Sequence, residues 1–282
     1  RYFKVSVASL LERREATFEL MKEVLLDTRF EDRSEIETVL RQKQLADERS
    51  VSRDGRDTAL RYARRGLGER WMASDLLHGE QQLRWLQETS ADETLVKWYA
   101  DVPSRLFRKG GMVVSYTDNL ADGAIDELLA SFGGGTVEKR EIQIVPNNLR
   151  GFSIDGDTGF AAWVAKLPAG IIRSGTMLVA AKILSLEYLH NEIREMGGAY
   201  GVMMWVTPNG LVECLSYRDP SPVRSLQKMS GLGGALRRFV ESGADIDRYI
   251  VATIASLEPY RSPADEASRA VALFVDGRDG VD

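Results

Sequence analysis

The chain has one cysteine, Cys214, and two histidines, His78 and His190. A single cysteine excludes an internal disulfide and any multi-cysteine zinc knuckle. The two histidines stand far apart, and neither has a second histidine at helical spacing. H-E-x-x-H and its inverse are therefore absent. His190-Asn191-Glu192 imitates the H-x-E of zinc deaminases, but those enzymes also need a P-C-x-x-C pair. There is no G-x-S-x-G elbow for a serine triad and no G-x-x-x-x-G-K-[ST] loop for nucleotide hydrolysis. No apolar run reaches the ~18 residues of a membrane span, and no signal peptide is visible. With a net charge of −5 there is no basic excess to attract nucleic acid. Neither nucleic acid nor membrane is an expected partner. Cys214 falls in an apolar strand pattern and reads as a packing residue. A packed or surface role is the expectation for both histidines.

The 282 residues suit one large or two medium domains, and 44% hydrophobic with 28% charged residues is ordinary for a globular protein. Alternation over residues 2–7 predicts a strand. Leu10, Leu11, Phe18, Met21, Val24 and Leu25 recur at helical spacing. A charged helix is predicted from Asp32 towards Leu67, kinked at Gly55, its dense mixed charge forming a solvated face. Helices follow over residues 70–87, with Trp71, Leu76, Leu77, Leu83 and Leu86 as the apolar stripe, and over 93–107. A strand at 112–116 and a short helix at 122–132 lead to Gly133-Gly134-Gly135, the clearest break in the chain.

Beyond the break, strands are predicted at 141–145 and 160–166, and a strong helix at 174–196. Strands at 202–206 and 211–216 flank Pro208-Asn209-Gly210, a hairpin signal. Helices follow at 223–241, 245–257 and 264–274. This order predicts an α+β class: two units, residues 1–132 and 136–282, each an antiparallel sheet covered by helices. The chain starts inside a strand pattern and ends just past Gly277-Arg278-Asp279-Gly280, so both units read as truncated and the chain as a fragment.

The most informative stretch runs from Tyr188 to Gly201. A helix ends near Met196, and Gly197 or Gly198 can take the left-handed conformation that closes it. Arg194 falls in the last helical turn and Tyr200 just past the glycines. A tight turn can bring guanidinium and phenol to one side of a sheet edge, as fixed donors to an anion or a polarised carbonyl. A cation in a last helical turn is also favourable with no function, and a tyrosine opening a strand is often core.

Glu192-Ile193-Arg194-Glu195-Met196-Gly197-Gly198-Ala199-Tyr200-Gly201 resembles the E-x-R-x-x-G-G-A-Y-G segment of the pitrilysin/insulinase zinc metallopeptidases. Ser216-Tyr217-Arg218-Asp219-Pro220 is similar to the S-Y-R-D-P of the presequence-protease and falcilysin branch. Leu25-Leu26-Asp27-Thr28-Arg29-Phe30-Glu31-Asp32 and Leu40-Arg41-Gln42 fit the same branch. The resemblance implies four related α+β domains in two halves that close around an unfolded peptide. It places zinc in the N-terminal half, with none bound by this chain. It assigns residues 1–132 to the end of the third domain and 136–282 to most of the fourth.

It further implies that Arg194 and Tyr200 hold the substrate carbonyl and stabilise the oxyanion, with Gly197, Gly198 and Ala199 beside the substrate. The implied partners are the N-terminal zinc-binding half and unfolded peptides, in a bacterial cytoplasm or an organelle matrix. The alternative is a non-catalytic scaffold or peptide-binding subunit of the same clan. On this reading the chain alone binds no zinc and cleaves nothing, because a zinc site needs three or four N, O or S ligands. Elemental analysis of the purified chain should find zinc far below one equivalent. One tightly held zinc per chain, surviving dialysis, would refute it.

Overall fold

The computed structural model describes residues 3–53, 55–116, 123–135, 141–146, 151–154, 156–275 and 277. The class is mixed helix and sheet, with helices predominating and a three-stranded antiparallel sheet. Two compact units form, each from separated stretches. One takes Gln44–Gln87 and Ile142–Pro259; the other takes Arg1–Lys43, Glu88–Glu141 and Tyr260–Asp282. This division follows packing, not sequence order, and leaves the family-domain boundaries a separate question.

The sheet belongs to the first of these units. Its strands are β1 (Gly159–Lys166), β2 (Gly201–Val206) and β3 (Leu211–Asp219), in the order β1-β3-β2. β2 and β3 are joined by the predicted hairpin. Gly210 takes φ +74°, Thr207 N–H donates to the Leu211 carbonyl at 2.8 Å, and Leu211 N–H donates to Thr207 Oγ1 at 3.0 Å. As the middle strand, β3 is buried along most of its length, polar residues Glu213, Ser216 and Asp219 included.

The two faces of the sheet are covered differently. Ala161, Trp163, Val202, Met204 and Cys214 meet Leu184, Leu189, Ile193, Met229, Leu232 and Ala235. The covering helix starts at Ser174, whose side chain accepts from Met177 N–H and caps the segment Gly175–Ile183. It continues as a π-helix over Leu184–Glu195. Leu189 and Ile193, at 0% and 1% exposure, each contribute about 2–3 kcal/mol by burial.

The opposite face receives the helix Arg56–Arg64. Arg64 donates from Nε to Glu213 Oε1 at 2.6 Å and from Nη2 to Oε2 at 2.5 Å, and Glu213 is fully buried in β3. The approach is close: a Cβ on Gly55 would lie 2.8 Å from the Phe160 ring. The predicted kink is thus a break, with helices Arg33–Arg53 and Arg56–Arg64 on either side. The expected solvated face holds along most of Arg33–Arg53 and fails beyond Gly55, where Leu60, Tyr62 and Arg65 are buried. Arg65 lies over the Tyr62 ring at 4.0 Å and beside Asp75 at 3.5 Å. Burial pushes the Asp75 carboxyl above its usual range, with Arg65 pulling partly back.

The predicted helix at 70–87 is two helices, Glu69–His78 and Glu80–Glu88. They part at Gly79, where a Cβ would sit 2.0 Å from Asp75 Oδ1. Leu76 and Leu77 are 40% and 50% exposed and Leu86 only 4%, so the expected stripe is only partly the core face.

In the other unit, Leu25, Leu128 and Phe132 form a small core with Met21, Phe107 and Met112. Its helices include Arg14–Lys22, Glu93–Leu106, Ala124–Ala130 and Pro263–Val275. Asp92 caps the second of these through Leu95 N–H at 2.8 Å. Gly133 pairs with Arg108 in an isolated bridge. The strands expected at 2–7, 112–116 and 141–145 are a correction: the described residues 3–7, 112–116 and 141–145 join no sheet. Alternation supplies a strand's faces, but a strand also needs a neighbour's N–H and C=O groups. Tyr2 lies outside the described residues.

Arg64→Met should strand the Glu213 carboxylate inside the sheet. Stability should fall by about 2–4 kcal/mol, somewhat under the usual cost because Arg64 is partly exposed. Adding Glu213→Gln should restore part of the loss. Urea unfolding would check both, and a single variant within about 0.5 kcal/mol of wild type would show that the pair holds little.

Candidate functional site

The π-helix Leu184–Glu195 ends against Gly197 and Gly198. Met196 N–H still donates five residues back, to the Asn191 carbonyl at 2.9 Å; Gly198 N–H donates to Arg194 at 3.0 Å and Ala199 N–H to Ile193 at 3.1 Å. Wide π turns recur at functional sites, and here the widening carries Arg194 to an exposed position in the last turn. Each small residue of the turn has a distinct physical cause. A Cβ on Gly197 would lie 2.4 Å from the Ile193 carbonyl oxygen, a backbone atom that cannot move aside. Gly198 has φ +78°, in the left-handed region. Ala199 is 3% exposed and joins the core. The N–H groups of Gly198 and Ala199 are engaged within the turn.

Tyr200 follows at the sheet edge, 62% exposed. Its N–H donates to the Arg218 carbonyl at 3.2 Å. Its ring meets Tyr217 edge-on at 5.6 Å between centroids, and the Arg218 guanidinium lies over it at 5.4 Å. On the far side of Tyr217 the Arg56 guanidinium stands 5.3 Å from the ring centroid. Two rings in edge contact are thus flanked by two cations: Arg218, Tyr200, Tyr217, Arg56. Gly201 makes room for this stack, since a Cβ there would lie 2.5 Å from the Tyr217 ring. Among the described residues the Tyr200 hydroxyl has no hydrogen-bond partner. The Arg194 side chain meets His190, Nη1 to Nε2 at 3.1 Å. Arg194 and Tyr200 therefore sit at the two ends of one short turn, each steadied by different neighbours.

The S-Y-R-D-P run is the second wall of the site. Asp219, 1% exposed, accepts from Ser216 Oγ at 2.5 Å and from Ser221 N–H at 2.8 Å. Tyr217, Arg218 and Arg56 were given no role by sequence reasoning. The signal available for the first two was a polar, proline-ended run closing an otherwise buried strand. For Arg56 there was none.

Other chemistry is poorly served here. Burial, with the Glu213 carboxylate adding to it, pushes the Cys214 thiol up to about 12, so it stays protonated and inert. Among the described residues no group of three or more His, Cys, Asp or Glu is placed to hold a metal ion. The residues present thus do not fit a zinc site. No helix among them is long and apolar enough to cross a membrane. A depression of about 250 Å³ is lined by Ile183, Leu184, Glu187, Tyr188, Ala235, Arg238 and Phe239, none of which belongs to the Tyr200 stack.

Two family profiles match the sequence: the PreP C-terminal domain over residues 166–278, and the associated region of the peptidase M16 family, subfamily C, over residues 1–88. Among curated proteins, Protein HypA of Clostridium perfringens is 22% identical over 97% of this chain and 29% of its own length. The mitochondrial presequence protease of Yarrowia lipolytica is 27% identical over 93% and 28%. Presequence protease 1, chloroplastic/mitochondrial, of Arabidopsis thaliana is 24% identical over 90% and 25%. The chain thus spans well under a third of the length of these relatives.

The turn geometry orders its variants. Gly198→Ala should cost about 1–2 kcal/mol, the penalty of a left-handed residue with a side chain. Gly197→Ala should cost more, because its Cβ collides with backbone. Thermal unfolding would rank them, and the reverse order would count against this closure of the helix.

Proposed function

Because the chain belongs to the M16 peptidase family, as a C-terminal portion of the presequence-protease branch, we propose that it supplies the substrate and oxyanion contacts of a zinc-dependent endopeptidase degrading unfolded peptides. In this reading residues 1–132 are the end of a third peptidase domain and 136–282 most of a fourth. The N-terminal half of the same polypeptide closes over them to form the chamber. Zinc would be held by that other half and would supply Lewis-acid chemistry there. The compartment is an organelle matrix or a bacterial cytoplasm.

One observation carries the proposal: Tyr200 is held on three sides and still offers a free hydroxyl to solvent. Its N–H, one ring edge and one ring face are taken by Arg218 and Tyr217, and 62% of the residue stays exposed. A held donor with no partner among the described residues suits a carbonyl oxygen that gains negative charge during attack. Such a donor needs no reorganisation at that moment. Arg194, exposed at the opposite end of the turn, adds a cationic donor. Gly197, Gly198 and Ala199 keep these two residues one turn apart and lie beside the substrate.

In the full-length polypeptide, Tyr200→Phe or Arg194→Ala should lower kcat on an unfolded fluorogenic peptide by roughly 10²–10³-fold, the usual cost of one oxyanion donor. Melting should be little changed, since neither opens a core cavity. A Tyr200→Phe enzyme with wild-type kcat/KM and melting would remove the phenol from catalysis. A full-length polypeptide lacking an inverted zinc motif upstream would favour the scaffold reading.

A further inference from the structure

We propose that Arg218 is a positioning residue for Tyr200, fixing the phenol through its backbone and its guanidinium together. The inference rests on the reading that the Tyr200 hydroxyl meets the substrate carbonyl. Arg218 is the one described non-glycine residue with positive φ, at +46°. A side chain there is strained, and such strain persists only where the surroundings impose it. Glycine would adopt this conformation freely, so a long cationic side chain at this position calls for a reason outside the backbone.

The surroundings supply both the constraint and the reason. Asp219, fixed by Ser216 and by Ser221 N–H, locks the chain just after Arg218. The Arg218 carbonyl then points to Tyr200 and accepts its N–H. The side chain returns over the Tyr200 ring at 5.4 Å. Tyr217, one residue earlier, closes on the ring edge, and Gly201 keeps that space open. The left-handed backbone and the guanidinium therefore act on the same ring. One sets where Tyr200 leaves the chain, and the other sets how its ring tilts.

Arg218→Gly separates this role from folding, because glycine keeps the left-handed backbone and removes the side chain. In the full-length polypeptide, kcat on the same peptide should fall roughly 2- to 5-fold, the scale of one exposed cation–π contact. KM should stay within about twofold, and melting should be unchanged or higher. Arg218→Lys should recover much of the rate. The effect should vanish in a Tyr200→Phe background, where no hydroxyl remains to be aimed. A fall of equal size in that background would make the role general rather than positional and overturn the proposal. So would wild-type kcat in Arg218→Gly beside an impaired Tyr200→Phe. If Tyr200→Phe itself is unimpaired, the catalytic reading fails separately. Tyrosine-selective ¹³C labelling then decides: a Tyr200 ring signal unmoved by Arg218→Gly refutes the positioning.

Discussion

The carboxylate of Glu213 has no exposure to water, and it sits in the middle strand of the sheet. Such a charge is tolerable only with a partner at short range. The partner is Arg64, 149 residues away in sequence, whose planar fork binds both oxygens. This pair commits a helix from early in the chain to a sheet formed late in it. Once that helix is docked, Gly55 reaches Phe160 and Arg56 reaches Tyr217. The aromatic stack at the sheet edge is therefore downstream of an ion pair in the sheet interior. β3 links the two, carrying Glu213 at its centre and Tyr217 and Arg218 near its end.

The other face of the same strand is apolar and meets the long helix that ends in the glycine turn. Here the constraint is steric. Leu184, Leu189 and Ile193 are all buried, a spacing wider than an α-helix allows, and the π geometry accommodates it. A π stretch is costly unless packing demands it, and the fully buried Leu189 and Ile193 mark that demand. The result is a turn whose N–H groups satisfy its own carbonyls, with Arg194 and Tyr200 exposed at its two ends.

The matches to relatives cover nearly the whole chain and only a quarter to under a third of each relative. A part of this kind can carry well-formed donors and still lack the rest of a reaction centre. The described residues build an aromatic and cationic edge.

Local rules made the later part of the chain legible. The hairpin at Pro208–Gly210 and the helix end at Gly197-Gly198 depend on neighbours a few residues away. The spacing of Arg194 and Tyr200 about the glycines could be read for the same reason, while the S-Y-R-D-P run was legible only through its family resemblance. Three strand patterns misled, because alternation says nothing about which partner, if any, completes the ladder. The charged helix misled too: Arg64 and Arg65 look like solvent-facing residues until Glu213 and Asp75 are brought to them. The sequence by itself determined the hairpin and the glycine turn, since each follows from short-range sterics and hydrogen bonding, and it offered the pair of candidate donors. Only the tertiary structure decided that Arg56, Tyr217 and Arg218 gather round Tyr200. That gathering depends on long-range ion pairing and close packing between segments whose contact no local pattern encodes.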